Sequence, residues 1–370
     1  MKNLQSKLLV ALVWIALSGS SRAEFLYVSY QSSITSFFLN ENTGSLALLP
    51  SSPLAIPEGV GQLVLDRTGL YLYASTKGSF ITDSWGNIAG YRVSNDGSLT
   101  PLPGSPFNLT GGHLALDPFG RFLYAAADAQ NGTVSVYRIR AHGALQPVPG
   151  SPFSSGSFSI SITTDPFGRF VYVANFGSQD ISGYRVLENG ALSPVPGSPF
   201  PILGAGEPIT VVVERTGRFL YAANFGAANV SSYRIGPNGA LTPLPGSPTK
   251  SVGGLFQTMA LDAAGGFLYA ADFVQGLTSF HINNSNGTLE LGPRIDTEPE
   301  PFAVGVDPHG KFVYAGNAND VTEPGPTSLS GFRIGTHGAL TPVPGSPFFP
   351  PAPVPSFPIS IVITSSGKAD

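Results

Sequence analysis

The sequence contains no cysteine and little charge. Of its 370 residues, 19 are Lys or Arg and 23 are Asp or Glu, together 11%, against roughly 25% in an average soluble domain. The absence of cysteine excludes disulfide bonds, thiol nucleophiles, cysteine-ligated zinc and a lipid anchor on cysteine. A formal net charge of −4 gives no electrostatic basis for binding nucleic acid.

Glycine and proline are abundant instead, with 45 Gly and 34 Pro, while 42% of the chain is hydrophobic and 11% aromatic. So many apolar residues exclude a disordered tail protein, which is highly charged and has few aromatics. So much Gly and Pro excludes a coiled coil or a long helical bundle. The composition therefore predicts short strands joined by many turns.

The N-terminal residues have the pattern of a secretory signal peptide. Lys2 and Lys7 precede the apolar run Leu8–Leu17, and small residues at 21 and 23 flank Arg22. A membrane anchor is the alternative, but ten apolar residues are about half of the ~20 that span a bilayer. We therefore expect a signal peptide over 1–23 and one domain over 24–370. The mature chain is predicted to carry a charge of −7, to have no transmembrane span, and to be exported as a periplasmic or secreted monomer.

An aromatic strand recurs through the whole chain. Its two aromatic residues are separated by one aliphatic residue, and the Tyr positions are 45 to 51 residues apart. A period of this length is the signature of a repeat architecture. The seven copies begin at Phe25, Tyr71, Phe122, Phe170, Phe219, Phe267 and Phe312.

Each copy contains four strand-like segments separated by turn signals. In the fifth unit a turn at 214–217 separates the first segment from the second, and the hairpin signal Asn238-Gly239 separates the third from the fourth. Pro243 places the last segment at a sheet edge, because proline cannot donate to a ladder. The four segments are 209–213, 219–224, 230–235 and 241–244.

Seven such units predict an all-β fold, a seven-bladed β-propeller of four-stranded antiparallel blades. The first unit begins without an inner strand, whereas Pro358–Thr364 and the turn residues 365–368 have the pattern of an inner strand and its turn without a second strand after them. We therefore expect the C-terminal strand to complete the first blade and close the ring.

The segments 165–175 and 181–186 resemble the seven-bladed propeller lactonases, which include the 6-phosphogluconolactonase type and the related fungal muconate cycloisomerases. The Tyr-Val-Ala-Asn core at 172–175 also resembles YVTN-type propeller repeats. The resemblance covers essentially all of the mature chain. It implies ring opening of a lactone by water, or a related lactonising step.

The resemblance carries only one of the family's proposed site residues over to this chain. His113 resembles the family's inner-strand His, although it is offset by one residue from the turn that follows. Where the family has an Arg after Pro, this chain has Ile after Pro208 and Pro358 and Phe after Pro301. Where the family has a Glu after Asn, this chain has Phe after Asn175 and Asn224 and Ala after Asn317.

The inner strands contain a predicted ring of polar residues at the channel mouth. We call this set the channel ring. Each of its members lies four residues before the turn that follows its inner strand. His113 is its only titratable member and the candidate catalytic residue, and Gln62 is a candidate ligand-binding residue. The alternative is that small polar residues satisfy backbone groups in a narrow channel. The ring consists of Gln62, His113, Ser161, Thr210, Thr258, Ala303 and Ser360.

Further candidate ligand-binding residues lie at second-strand ends and in the following loops. Asn175, Asn224 and Asn317 end second strands, and Trp85 in a long loop is suited to stacking on a sugar ring. Alternatively the Asn residues cap turns and Trp85 packs on its own blade. The remaining His residues show no metal-ligand spacing, so no metal and no cofactor are expected.

The basic residues argue against a phosphorylated substrate. Most of those in the mature chain recur with the repeat, and only Lys77, Lys250 and Arg294 are left for loops near the mouth. A phosphate site normally needs converging cations or a helix N-terminus. Two hypotheses remain: an exported lactonase acting on an unphosphorylated sugar lactone with His113 as general base, or a non-catalytic propeller that binds a glycan or an envelope protein.

Overall fold

The computed structural model describes residues 23–76, 86–204, 206–251, 253–318, 327–351 and 357–365. Within these ranges the chain forms 32 strands and two 3₁₀ turns, Ala141–Gly143 and Thr336–Gly338. The strands form seven antiparallel sheets, and the strand order in each is that of a propeller blade. The predicted seven-bladed, all-β fold is confirmed. No helix in the described part of the chain is long and apolar enough to cross a membrane.

The first four blades contain the following strands besides the closing strand. They are β1 (Glu24–Tyr30), β2 (Ser33–Leu39), β3 (Leu46–Leu48), β4 (Leu54–Ala55), β5 (Val60–Leu65), β6 (Tyr71–Thr76), β7 (Ile88–Val93), β8 (Leu99–Pro101), β9 (His113–Leu116), β10 (Phe122–Ala127), β11 (Thr133–Ile139), β12 (Leu145–Pro147), β13 (Phe153–Ser154), β14 (Ser159–Thr164), β15 (Phe170–Asn175), β16 (Asp180–Val186), β17 (Leu192–Pro194) and β18 (Phe200–Pro201).

Blades 5 to 7 and the closing strand follow in chain order. They are β19 (Glu207–Val213), β20 (Phe219–Phe225), β21 (Asn229–Ile235), β22 (Leu241–Pro243), β23 (Thr249–Lys250), β24 (Phe256–Leu261), β25 (Phe267–Asp272), β26 (Gly276–Ile282), β27 (Leu289–Ile295), β28 (Pro301–Val306), β29 (Phe312–Asn317), β30 (Ser328–Ile334), β31 (Leu340–Pro342) and β32 (Ser360–Ile363).

The C-terminal strand closes the ring, as the sequence predicts. Strand β32 pairs antiparallel with β1 in the register Leu26↔Ile363 to Ser29↔Ser360, so that blade 1 has the order β3-β2-β1-β32. Beyond the strand, the Phe25 amide donates to Thr364 Oγ1 at 2.8 Å. Both ends of the propeller therefore lie in one sheet.

The recurring aromatic strand holds neighbouring blades together. The hairpin glycine of each blade packs on the first aromatic residue of the preceding blade; a Cβ on Gly239, for example, would lie 2.6 Å from the Phe170 ring. In five blades the second aromatic residue, a Tyr, donates its hydroxyl to the hairpin glycine carbonyl of the next blade, as Tyr172 does to Gly239 at 2.8 Å. The aromatic and glycine residues that recur in the sequence are thus the ones that form the contacts between neighbouring blades.

The Gly-Ser-Pro segments between blades are tied to the third strands. Six Ser-Pro bonds in these and the equivalent first-blade segment are cis. Each of these serines accepts a backbone N–H from a third strand, for example Ser247 from Ser232 at 2.8 Å. These contacts fix the outer edge of six blades.

Candidate active site at the channel mouth

The mouth is the face where inner strands begin and second strands end. Ser159 at the start of β14 pairs with Asn175 at the end of β15, and Pro208 of β19 pairs with Asn224 of β20. The turns between inner and second strands therefore lie on the opposite face. Asp117 and Asp165 occupy two of those turns, buried and paired with Arg121 and Arg169.

The strand register places His113 in the channel ring. His113 pairs with Ala126, two residues beyond Tyr124, and Ser161 pairs with Ala174, two residues beyond Tyr172. The same relation holds for Thr210, Thr258, Ala303 and Ser360, whereas Gln62 lies inside a register shift between Val60 and Leu63. His113 is therefore in register with the five ring members other than Gln62.

Side chains of the channel ring bridge consecutive inner strands. Ser161 Oγ accepts the amide of Val211 at 3.1 Å, and Thr258 Oγ1 accepts that of Val304 at 3.1 Å. Thr210 and Ser360 donate to carbonyls of the next blade at 3.2 and 3.4 Å. These members satisfy backbone groups between blades, which is the structural alternative that the sequence left open.

Gln62 contributes to the same network beside His113. Its Oε1 accepts the backbone N–H of Leu114, the residue after His113, at 2.7 Å, and its backbone N–H donates to Ser75 Oγ at 3.0 Å. Gln62 thus holds the strand that carries the imidazole.

His113 is half-buried, and burial lowers the pKa of its imidazole to about 4. Desolvation disfavours the charged form of a base, so His113 is neutral at neutral pH. A neutral imidazole can accept a proton on one ring nitrogen, as a general base must, and the lowered pKa makes it a weaker base than an exposed imidazole.

The second-strand Asn residues are fully buried within their blades. Asn175 Nδ2 donates to Asp180 at 2.6 Å and to Ser182 at 2.9 Å, and its Oδ1 accepts from Ser155 and Ser159. These contacts tie the inner strand to the third strand at the mouth. Direct contact of this amide with a ligand stays a prediction.

Asn224 and Asn317 make similar bonds through Nδ2, to Asn229 and Ser231 and to Ser328 and Ser330, respectively. The Oδ1 atoms of both are buried without a hydrogen-bond partner within the described residues. Trp85, the remaining candidate, lies outside the described residues, and so do most of the residues between Asn317 and Thr327.

Comparison with known protein families gives a match over part of the chain. The model of the seven-bladed β-propeller lactonases matches residues 19–147 and 86–197. The chain is a lactonase-like seven-bladed β-propeller. A search of curated proteins gave no match.

Solved structures share the fold of this lactonase-like propeller over nearly its whole length. The periplasmic gluconolactonase PpgL of Pseudomonas aeruginosa has a TM-score of 0.75 at 18% identity and covers 93% of this chain and 99% of its own. A candidate 6-phosphogluconolactonase of Bacteroides fragilis also reaches 0.75 at 18% identity, covering 94% and 100%. A Lactobacillus plantarum protein reaches 0.70 at 20% identity, covering 93% and 99%. At these identities the likeness establishes the fold alone.

Sequence reasoning missed a buried carboxylate at the mouth of this propeller. Asp272 ends the second strand of blade 6, where blades 4, 5 and 7 have Asn, and it is fully buried. Its Oδ1 accepts the amides of Leu255 and Val274, both at 3.1 Å, and Oδ2 has no partner among the described residues. Burial raises the pKa of Asp272 despite these bonds. The sequence could have revealed this carboxylate, because Asp272 occupies the position in the repeat that holds Asn175, Asn224 and Asn317 in blades 4, 5 and 7.

Most basic side chains of the described residues are engaged away from the mouth. Four Arg residues that follow the third-strand aromatics stack on a Phe ring of their own blade, as Arg138 does on Phe122 at 4.7 Å. Arg294 bonds Gln275 and Asp296, and Lys77 is outside the described ranges. The described residues also contain no group of three His, Asp or Glu placed to hold a metal ion.

Proposed function

We propose that this propeller hydrolyses an unphosphorylated lactone at its channel mouth, with His113 as the general base. The observation that carries the proposal is a neutral, half-buried imidazole in the channel ring of a lactonase-like fold. The other six ring members have no titratable side chain.

In the proposed step the imidazole takes a proton from water while the water oxygen bonds to the lactone carbonyl carbon. The tetrahedral intermediate collapses by breaking the ring C–O bond. The imidazolium then returns its proton to the leaving alkoxide, which gives the free hydroxy acid. General base catalysis of this kind contributes typically 10²- to 10⁴-fold to the rate.

The charges near the mouth support a neutral substrate. The stacked arginines and the turn pairs leave no converging set of cations among the described residues, and a phosphate normally needs such a set. The names of the solved neighbours do not decide the point, because the Pseudomonas protein is named a gluconolactonase and the Bacteroides fragilis protein a 6-phosphogluconolactonase. A small carbohydrate-like lactone is therefore the proposed ligand.

We also propose that the chain is exported. The leader-like residues 1–23 directly precede the first strand, which begins at Glu24. The Pseudomonas neighbour is periplasmic. N-terminal sequencing of protein recovered from outside the cytoplasm is expected to begin at Glu24; an unprocessed N-terminus would contradict export through this leader.

The catalytic proposal is tested by lactone turnover. Purified protein is expected to hydrolyse D-glucono-1,5-lactone at pH 6–7, where the uncatalysed background is measured in parallel, and His113→Ala is expected to lower kcat/KM by at least about 100-fold. His337→Asn is the matched control, because His337 lies in an exposed hairpin with φ 60°, a conformation that Asn tolerates. An unchanged rate in His113→Ala would refute the assignment.

A second candidate function is a non-catalytic binding propeller for a glycan or an envelope protein. It is supported by the residues that this chain has in place of the family's Arg and Glu. Ile209, Phe302 and Ile359 replace the Arg, and Phe176, Phe225 and Ala318 replace the Glu. Absence of lactone turnover in the wild-type protein together with retention on a glycan array would favour this candidate over the hydrolase.

A further inference from the structure

The mouth is lined unevenly around the channel. Five Phe side chains, one from each of five consecutive blades, lie at its rim, and all are half-buried. We call them the aromatic arc: Phe176 of blade 4, Phe225 of blade 5, Phe273 of blade 6, Phe302 of blade 7 and Phe357 before the closing strand of blade 1.

Three of these residues share one position in the repeat. Phe176, Phe225 and Phe273 each directly follow the buried Asn or Asp that ends the second strand. Phe302 directly precedes the ring member Ala303, and Phe357 stands three residues before Ser360. All five therefore belong to the rim of the channel and not to the sheet core.

Ring contacts join members of the arc across blade boundaries. Phe176 and Phe225 have ring centroids 6.2 Å apart. Phe302 lies 5.3 Å from Phe273 in an edge-to-face arrangement and 5.0 Å from Phe357 in a stacked one. Next to the arc, Phe158 and Val274 are 38% and 61% exposed, so the apolar surface continues to solvent.

The side of the mouth that carries His113 has small or polar residues at the corresponding positions. Asp128 replaces the arc Phe in blade 3, and Gly112 directly precedes His113, as Gly61 precedes Gln62. The aromatic arc therefore faces the blades that carry His113 and Gln62.

Two carboxylates stand at the rim between arc members. Glu207 and Glu300 each lie three residues before a ring member and are half-buried, and Glu207 pairs directly with Phe225. Glu300, like Phe158 at the same position in blade 4, has a positive φ, 56° and 52° respectively. Such backbone conformations in non-glycine residues cluster at functional sites.

We propose that the aromatic arc with Glu207 and Glu300 selects a neutral, hydroxylated ring with one apolar face, a pyranose-type lactone, against phosphorylated or other anionic lactones. This inference rests on the proposed function. Aromatic rings pack against the C–H face of a sugar ring, carboxylates accept its hydroxyl groups, and the same carboxylates repel a phosphate.

The test measures binding separately from turnover. Titration calorimetry with D-glucono-1,5-lactam, a neutral ring that the enzyme cannot open by ester hydrolysis, is run beside its 6-phosphate. We expect the neutral lactam to bind the wild-type protein more tightly than the phosphate. Phe302→Ala is expected to weaken lactam binding about tenfold, with Phe302→Trp restoring it. Phe349→Ala, which changes an exposed Phe outside the arc, is the matched control.

The carboxylates are tested in the double variant Glu207→Gln, Glu300→Gln. It is expected to narrow the difference in affinity between the lactam and its 6-phosphate. Lactam binding without lactone turnover would sustain the arc and refute the hydrolase. Absence of lactam binding, or lactone turnover with a KM that Phe302→Ala leaves unchanged, would overturn the arc as the selecting surface. Tighter binding of the 6-phosphate by the wild-type protein would also overturn it.

Discussion

Asp272 differs from its counterparts in the repeat by a single atom type. Blades 4, 5 and 7 place a neutral amide at this position, and blade 6 places a carboxylate with an unpartnered Oδ2. A buried charge without full hydrogen bonding costs free energy. The residue is thus a departure from the repeat that reduces stability at neutral pH.

We predict that Asp272→Asn raises the free energy of unfolding at pH 7 by about 1 kcal/mol. Because burial raises the pKa of Asp272 in the folded protein, the contribution of Asp272 to stability falls as pH rises from the unfolded pKa, about 3.9, through the folded one. The gain should therefore vanish in acid, where Asp272 is protonated in both states. Urea unfolding of the wild type and of Asp272→Asn, at pH 7 and below pH ~4, measures this gain in stability. Equal or lower stability at pH 7 would contradict the account.

The strand positions of the channel ring could be predicted from the sequence, whereas the contacts of its side chains could not. Counting back from each turn gives the ring, and strand pairing places six of its seven members at equivalent positions, while Gln62 lies in a register shift. Whether Asn175 faced solvent or the third strand could not be predicted, because its partners Ser155 and Asp180 depend on how two loops meet.

At the scale of the structural element, the hairpin glycines join each blade to the one before it. Gly239 and Gly246 have similar backbone conformations, with φ of 87° and 79°. A Cβ on Gly239 would meet Phe170 of the preceding blade, whereas one on Gly246 would have nothing within 4 Å. Substitutions at these two positions therefore separate the free-energy cost of the left-handed backbone from the cost of disturbed packing between blades.

We predict that Gly246→Ala costs about 1 kcal/mol, the usual penalty of the left-handed region. Gly239→Ala should cost about 2–3 kcal/mol more, because the blades must move apart to admit the methyl group. Thermal and urea unfolding of both variants measure the difference. Equal losses would show that the hairpin contact with Phe170 is not a packing constraint.

The four main strands of each blade were predictable from turn residues and apolar runs, but their finer structure was not. The short strands β4, β13, β18 and β23 pair with third strands over two residues each. They arise where the inter-blade segment passes the third strand, which only the folded blade determines. Five inner strands also have a register shift near their start, in their pairing with the second strand.

For the whole molecule, closure depends on one short strand. Strand β32 supplies the inner strand of blade 1, and Ile361 packs with residues of blades 1 and 7. Without it, β1 would expose an unpaired edge and the first and seventh blades would lose a shared core. Closure removes that edge.

Deletion of residues 358–370 is therefore expected to lower Tm by at least about 5 °C and to promote association through the open edge. Deletion of 366–370 alone keeps β32 and Thr364 and is the matched control. Calorimetry and light scattering compare the two. An unchanged Tm in the longer deletion would mean that the ring does not depend on this closure.

The closure was predictable because the first unit lacks an inner strand and the C-terminal segment has the sequence pattern of one. The clustering of aromatic residues on one side of the mouth could not be predicted from the sequence, because the contacts of Phe302 join residues of three blades that are far apart in sequence.

The pH dependence of lactone hydrolysis tests the central claim most directly. Because burial lowers the pKa of His113 to about 4, the imidazole remains neutral down to that pH. The wild-type kcat/KM for D-glucono-1,5-lactone, measured from pH 3 to 7, should therefore stay level and fall only as pH drops through about 4. A fall centred near ~6.5, the value of an exposed imidazole, or a profile that His113→Ala shares with the wild type, would contradict the account.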